Sequence, residues 1–458
     1  MPFRILGPLQ NNAFSIQPLS FTDQNVHDDL ATCLEIHLLE NGSKEARSNW
    51  QNAQLLNVAQ FSIENSKFWQ ARLPQNLHKD FDLSVAPILT RKELQSQVEN
   101  EGSICPKEYL ADVKSYASSG STGTPVRVYA MRQNARYNEI RSIAQFFIEG
   151  RALNYNRTFI KPIDGKNTLN LPKHIITEKL DCWIGNLGSI FTSGIGKIIQ
   201  FDGRPDALIS ELRKDPVGYL ACLGSHMDIL IREGGIDLIK ELNIHMWLHH
   251  SDTFDENHRQ MLKDAGVNIR SSYSSAEVGP IAVECSEQRG YYHVVHSNVI
   301  VESNLKNTVI VNGGVVSSLL ITHLHSYATP IIKYEIGDFA CLHLSCPCGH
   351  DGNTLSNIFG RKKYFLRDID GSLVPFPLFA KPLLDLCKFK EFFAYQDKDG
   401  GVVLEVGGRK NISDGEIEAL TKLLKTISQH KFKITIKAVE KIDWSKNPKQ
   451  IPFISYLD

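Results

Sequence analysis

The sequence predicts an α/β fold in two parts, a large multi-layer N-terminal domain and a small α+β unit at the C-terminus. Three observations carry this expectation. In the middle of the chain short apolar runs alternate with a helical stretch, residues 244–248, then 253–265, then 267–273, which reads as strand, helix, strand in a layered sheet. From Tyr291 to His343 the chain turns to β-rich runs, VVHSNVIVES, NTVIVNGG and SLLITHL, separated by Asn and Gly. Past Arg361 the texture changes again, so the boundary is expected near residue 361, with residues 1–360 in the larger part and 361–458 in the smaller.

At 458 residues the chain is long enough for a sizeable core. Its hydrophobic fraction of 42% and charged fraction of 22% exclude disordered, collagenous and coiled-coil classes. From about residue 20 to 110, residues 28–39 and 43–66 carry apolar side chains at helical spacing, so the N-terminal ninety residues form a mostly helical extension. A long amphipathic stretch, residues 134–149, ends at Gly150, where a glycine is expected after a helix. The helix at 253–265 opens on a capping box, Thr253 and Glu256, and closes on Gly266. In the C-terminal unit two strand-like runs meet at Asp399-Gly400-Gly401, Ser413 and Glu416 form a second capping box, and Phe432, Ile434, Ile436 and Ala438 alternate as a strand.

Fifty Lys and Arg against fifty-one Asp and Glu leave a net charge of −1, so no general field recruits nucleic acid or an anionic membrane. The opening MPFRILGPLQNN lacks the charge and apolar pattern of a secretory signal, and no run of apolar residues is long enough to span a bilayer. The expected location is cytoplasmic, with no membrane and no nucleic-acid partner. Nine Cys in such a chain read as reduced thiols. Cys33, Cys105, Cys182, Cys222, Cys341 and Cys387 sit mostly among apolar residues, as small buried hydrophobes.

Cys285, Cys346 and Cys348 differ. Cys346-Pro347-Cys348-Gly349 is a Pro-Gly context suited to a tight thiolate turn, and Cys285 and His293 upstream supply a second ligand pair. Three thiolates and one imidazole make a closed tetrahedral zinc site, structural because no position stays open for water. His296 or His350 could replace His293.

Ser118-Ser119-Gly120-Ser121-Thr122-Gly123-Thr124-Pro125 packs hydroxyls and glycines just before a strand-like VRVYA. Glycines let successive N–H groups converge on an anion and hydroxyls add donors, although a Walker loop is excluded because no Lys follows the last Gly. By itself such a run is more often a flexible loop. Tyr273-Ser274-Ser275-Ala276-Glu277 follows one strand, Tyr334-Glu335-Ile336-Gly337-Asp338 follows another, and Phe359-Gly360-Arg361 stands at the boundary.

In this order, with a Lys near the C-terminus, these motifs resemble the adenylate-forming superfamily of acyl-CoA ligases, luciferases and peptide-synthetase adenylation domains. The resemblance is strongest to phenylacetate-CoA ligase and its capsular-polysaccharide-cluster relatives, through LLITHLHSYATPIIKYEIGD, Cys346-Pro347-Cys348-Gly349 and Phe359-Gly360-Arg361. It covers about residues 90–458.

The resemblance implies an adenylate-forming core with a mobile lid domain, and an AMP-forming ligase. ATP and a small carboxylic acid would give an acyl-adenylate and pyrophosphate, and a thiol, coenzyme A, would then take the acyl group. Residues Ser118 to Thr124 fall at the ATP phosphate loop, Glu277 at the Mg²⁺ ligand, and Asp338 at the carboxylate that takes the ribose, with Arg361 assisting. Tyr273 to Ala276 and Ser251 fall beside the nucleotide. Lys449, in Asn447-Pro448-Lys449-Gln450, falls at the catalytic lysine, with Lys446 a rival, and Lys363 at the hinge. Related ligases carry metal near Cys346, and a homodimer is expected by resemblance only. The acid is expected beneath residues 134–149, against Tyr137, Ile140, Phe146 and Phe147.

Each residue has a plain alternative: Glu277 a solvated loop acid, Asp338 a turn residue, Lys449 a surface lysine, the aromatic stripe ordinary core. The sequence also departs from the family's Tyr-Gly-x-Thr-Glu, losing a glycine and a threonine at Ser274 and Ala276, and reads His250-Ser251-Asp252-Thr253 where the family has Gly-Ala-Glu-Pro. Two other functions stay open: adenylation with transfer to an amine, hydroxyl or carrier protein, and nucleotide binding without catalysis.

Overall fold

The computed structural model describes residues 24–77, 81–117, 126–162, 175–201, 204–250, 256–311, 314–360, 365–369, 373–375, 391–408, 410–427, 432–443 and 453–457. Among these, helices α1 (Gln24–Glu40), α2 (Lys44–Asn65), the single turn α3 (Lys67–Gln70) and α4 (Arg91–Glu101) come first. A hairpin of β1 (Val113–Ala117) and β2 (Arg127–Met131) leads into α5 (Arg132–Ile148). Then follow β3 (Arg157–Pro162), β4 (Ile175–Leu180), β5 (Gly196–Phe201), α6 (Pro205–Leu212), β6 (Gly218–Cys222), α7 (Gly224–Glu241), β7 (Ile244–His250), α8 (Glu256–Asp264) and β8 (Asn268–Ser275).

From there the chain is all strand as far as residue 360: β9 (Gly279–Glu284), β10 (Tyr291–Val294), β11 (Val299–Val311), β12 (Gly314–His323), β13 (Tyr334–His343) and β14 (Thr354–Phe359). A short hairpin, β15 (Phe365–Arg367) and β16 (Leu373–Pro375), precedes β17 (Glu391–Gln396), β18 (Val402–Gly407), α9 (Asp414–Ile427), β19 (Ile434–Val439) and β20 (Phe453–Ser455).

Helix boundaries follow local chemistry. Ser43 caps α2 by accepting the Ala46 N–H, and Ser66 ends α2 while accepting the Trp69 N–H of α3. Gly150 lies just past α5 with φ of 61°, the left-handed conformation that lets a helix stop. The predicted capping box of α9 is present, Ser413 N–H donating to Glu416 Oε2 at 3.0 Å and Glu416 N–H to Ser413 Oγ at 3.4 Å. Thr253 of the other predicted box lies outside the described residues.

Twelve strands form one mixed sheet in the order β11-β12-β13-β14-β10-β9-β8-β7-β6-β3-β5-β4. From β8 to β5 neighbours run parallel, and from β8 to β11 every neighbouring pair is antiparallel. The parallel half is covered on both faces: Leu220 and Trp247 join the cluster of α6 and α7, while their neighbours Tyr219 and Met246 join that of α1 and α5. The antiparallel half packs Ile281, Leu319 and Ile321 against Leu55 and Val58 of α2 and Leu94 and Val98 of α4. The N-terminal helices are thus wall, not appendage.

The C-terminal sheet, β19-β18-β17-β20, has its own core, in which Leu404, Val406 and Phe453 meet Leu420 and Leu424 of α9. Successive residues of β15 divide between the two bodies, Phe365 packing with Val309 and Phe339, and Leu366 with the C-terminal core.

One sequence reading is corrected. The run VVHSNVIVES is not a single strand: it breaks at Val295 to Asn298 between β10 and β11. Asn298, fully buried, is the reason, because its side-chain amide donates to the carbonyls of Val278 at 3.0 Å and Pro280 at 2.7 Å instead of lying on a strand face. It thereby braces the turn between β8 and β9. Asn298→Ala leaves two buried carbonyls without these donors and is expected to cost about 1–3 kcal/mol, read as a lower urea midpoint; an unchanged midpoint would show that the turn needs no brace.

Candidate functional site

The change from parallel to antiparallel pairing falls at the turn after β8, and the motif Tyr273 to Glu277 lies on it. Ser275 pairs with Gly279 across the turn, Ser275 Oγ accepts the Val278 N–H at 3.3 Å, and Val278 is buried in the core. Ala276 and Glu277 therefore stand at the carboxyl end of the last parallel strand, where open α/β sheets bind ligands.

β13 brings Asp338 to the same place. Its register against β12 slips between Ser318 and Leu320, which pair with Phe339 and Glu335, so β13 carries two extra residues there. Gly337 takes up the bulge with φ of 89°. The bulge re-aims the next side chain, and Asp338 Oδ2 accepts the Tyr273 hydroxyl at 2.8 Å. Two motifs sixty-five residues apart are joined by this bond.

Glu277 is buried, with its side chain only 4% exposed, and its Oε1 accepts no hydrogen bond. Arg91 Nη1 lies 3.6 Å away, an ion pair rather than a hydrogen bond. Sequence reading missed Arg91. It opens α4 immediately after Thr90, whose capping box with Glu93 is complete, and Leu89 ties that point to β13 through Leu89 N–H to the Lys333 carbonyl and Glu335 N–H to the Leu89 carbonyl, both 2.9 Å. The Thr90-to-Glu93 spacing was the available signal for the helix start.

A buried carboxylate oxygen without a hydrogen bond fits the implied Mg²⁺, a hard cation held by one or two protein carboxylates together with phosphate oxygens. The last pair of the β1 and β2 hairpin is Ala117 and Arg127. Of the predicted site, Ser118, Ser119, Gly120, Ser121, Thr122, Gly123, Thr124, Ser251, Arg361, Lys363 and Lys449 lie outside the described residues.

Tyr129 of β2 donates its N–H to Thr329 Oγ1 at 2.9 Å, which fastens the hairpin to the segment before β13. The predicted acid-binding wall on α5 is mostly core: Ile140, Phe146 and Phe147 pack with Val26 and Ile36 of α1 and with Trp183. Tyr137 differs, its ring tilted against that of His325 with centroids 4.0 Å apart.

The predicted metal ligands come together. One donor atom each from Cys285, His293, Cys346 and Cys348 lies within 4.8 Å of every other, with Cys348 Sγ 3.4 Å from His293 Nε2. Cys285 follows β9, His293 is on β10, and the two thiols of the β13–β14 connection turn on Gly349, whose φ is 93° and whose N–H donates to the Cys346 carbonyl. Burial pushes the Cys346 thiol up to about 12, with the Cys348 backbone pulling the other way and the Cys348 and Cys285 thiols adding to burial. Thiols crowded this way suit a cation that deprotonates them, and the donor set fits zinc. His350 stacks on His293 at 4.2 Å, and His296 Nε2 accepts the Asn353 N–H, so these two surround the cluster.

Glu277 precedes β9 and Cys285 follows it, while Cys346 and Cys348 lie in the β13–β14 connection, after Asp338 of β13.

No family model and no curated protein matches the sequence. Solved structures do match. A 2-hydroxyisobutyryl-CoA ligase in the postadenylation state, in complex with 2-HIB-AMP, aligns with a TM-score of 0.63 at 12% identity, over 92% of this chain and 91% of that one. The chain has the fold of an adenylate-forming ligase. The same ligase in an open conformation with 2-HIB-AMP and CoA aligns at a TM-score of 0.55, 12% identity, 91% and 93% coverage, and in the thioesterification state at 0.53, 13%, 91% and 91%. The likeness thus extends over about nine-tenths of the chain. No helix among the described residues is long and apolar enough to cross a membrane.

If the cluster holds zinc, the protein carries about one equivalent and the double variant Cys346→Ser, Cys348→Ser loses it, because two hydroxyls cannot replace two of four ligands. Metal analysis decides this, and unchanged zinc content would sink the assignment.

Proposed function

We propose that this protein activates a carboxylic acid with ATP, giving an acyl-adenylate and pyrophosphate, and then passes the acyl group to the thiol of coenzyme A with release of AMP. The observation that carries the proposal is the turn after β8, in the adenylate-forming fold, where Glu277 with its unbonded oxygen and the Tyr273–Asp338 pair stand together.

The division of labour follows from charge. Residues Ser118 to Thr124, between β1 and β2 in the chain, supply N–H and hydroxyl donors for the phosphates. Glu277 would hold Mg²⁺, which would supply positive charge against the phosphates. Asp338, aimed by its bulge and steadied by Tyr273, accepts from the ribose hydroxyls, with Arg361 beside it. Lys449, from the C-terminal unit beyond residue 361, spans the acyl carboxylate and the α-phosphate and stabilises the charge that builds in the transition state. A lid that hinges near Lys363 would bring first this lysine and then the thiol to one cleft. Ser251 and Ser274 to Ala276 line the nucleotide. Adenylation gives the carboxylate a leaving group it lacks, so one hard step becomes two easier ones. Zinc at Cys285, His293, Cys346 and Cys348 is structural, since four protein ligands leave no position for substrate.

The expected result is exchange of pyrophosphate into ATP that depends on Mg²⁺ and on one class of acid, falling by roughly 10²- to 10³-fold in Lys449→Ala. AMP release should rise with coenzyme A; indifference to the thiol would give the acyl group to an amine, hydroxyl or carrier protein. Exchange with no acid, from protein that binds ATP, would overturn the proposal.

A further inference from the structure

Arg141, on α5, is 7% exposed, and its Nε is sealed from water without a hydrogen bond. Among the described residues no carboxylate lies within the 4.0 Å of an ion pair with it. Burial pushes the guanidinium down to about 10, with Glu40 and Tyr137 pulling the other way, so it stays charged at neutral pH. A buried cation without a contacting anion costs several kcal/mol in general, and such a group needs an explanation.

His323 is its neighbour. α5 presents Tyr137 and Arg141 one turn apart, and the end of β12 presents His323 and His325 two residues apart. Tyr137 and His325 form a pair, their rings tilted against each other and both donating to the Ser297 carbonyl, at 3.1 and 2.8 Å. One turn further along α5, Arg141 lies close enough to His323 for its charge to act on that ring. His323 is 6% exposed with Nε2 sealed and unbonded, and burial, helped by His325 and Arg141, pushes it down to about 3, which leaves a neutral ring able to donate.

The nearest buried acid is committed elsewhere. Glu40 accepts the N–H of Ser297 at 2.8 Å and of His296 at 3.3 Å, with His296 Nδ1 at 3.5 Å. Burial raises its pKa, but the bonds from His296 and Ser297 outweigh that and keep it ionised.

These residues of α5 adjoin the candidate site. Asn138, between Tyr137 and Arg141, stands 3.8 Å from where a Cβ on Gly279 would be, and Asn298, next to Ser297, holds the carbonyls of Val278 and Pro280. Both flank the turn that carries Glu277.

We propose that Arg141, with His323 beside it, receives a second acidic group on the activated acid, so that the substrate class is a dicarboxylic acid. A guanidinium takes a carboxylate through two parallel hydrogen bonds, and the pairing is strongest where water is excluded. The proposal rests on the adenylation reading for the fate of the first carboxylate, whereas the anion site itself does not.

The test uses the full chain with malonate, succinate, glutarate and adipate, each against the monocarboxylate of the same carbon number. Binding is read as a thermal shift without ATP and turnover as pyrophosphate exchange. A dicarboxylate is expected to raise the melting temperature and to support exchange where its monocarboxylate partner does not, and Arg141→Met should weaken that exchange by about 10- to 100-fold. Arg141→Lys should restore part of the binding; should the Met variant fail to fold, selectivity of the wild type and the Lys variant decides. A dicarboxylate shift lost in the variant, without exchange on any acid, would keep the anion site and overturn the adenylation reading. Exchange that favours monocarboxylates, with no dicarboxylate shift, would overturn the Arg141 proposal and leave adenylation standing. Neither signal from folded protein would overturn both.

Discussion

The turn at Ser275 to Gly279 is the constraint on which the site depends. Parallel neighbours need a crossover between them, so from β5 to β8 the chain leaves the sheet through helices; at this turn it reverses directly and pairs antiparallel from there on. A reversal at the carboxyl end of the last parallel strand puts Ala276 and Glu277 at the mouth of the α/β half. The same reversal lets β13, deep in the antiparallel half, run alongside and deliver Asp338. The turn is held from three sides: Val278 in the core, Ser275 capping from within, and Asn298 bonded to the carbonyls around it.

The N-terminal helices gain a purpose from this. α1 ends at Glu40, which fastens the bend between β10 and β11 through the N–H groups of His296 and Ser297, and α2 adds Gln51, whose amide donates to the carbonyls of His296 and Val299 at 2.9 and 3.1 Å. That bend carries Asn298. The helical extension thus supports the site through one intermediate, and α4 reaches it directly through Arg91. The Cys285, His293, Cys346, Cys348 cluster gathers two hairpin connections that have few apolar side chains to hold them.

Much of this was legible in the residues. Periodicity placed α1, α2 and α5 within a few positions, because an apolar stripe at helical spacing has few other uses, and Gly150 marked the end of α5 and Ser413 the start of α9 for reasons contained within one turn of backbone. The four metal ligands were legible because a thiol pair on a tight turn is a local feature. Arg91 was not legible as a partner of Glu277, being 186 residues distant in the chain and close only because Leu89 bridges to Tyr334. Nor was the break at Asn298, since a lone Asn in a β-rich run gives no sign that its amide is needed by two distant carbonyls. Phe146 and Phe147 read as a substrate wall because an aromatic stripe looks the same whether it faces a ligand or another helix.

By itself the sequence determined what is set within a few neighbouring residues: helix starts and stops, strand alternation, the thiol turn, the Ser and Gly run, and the order of motifs that suggested an adenylate-forming ligase. Tertiary structure alone decided which of these meet. The bulge at Gly337 turns Asp338 onto Tyr273, the turn at Glu277 faces Arg91, and Arg141 is buried beside His323 with its counter-charge committed elsewhere. The physical reason is that these contacts depend on strand register and on the direction in which the chain re-enters the sheet, and both are fixed by burial of whole faces rather than by any short run of residues.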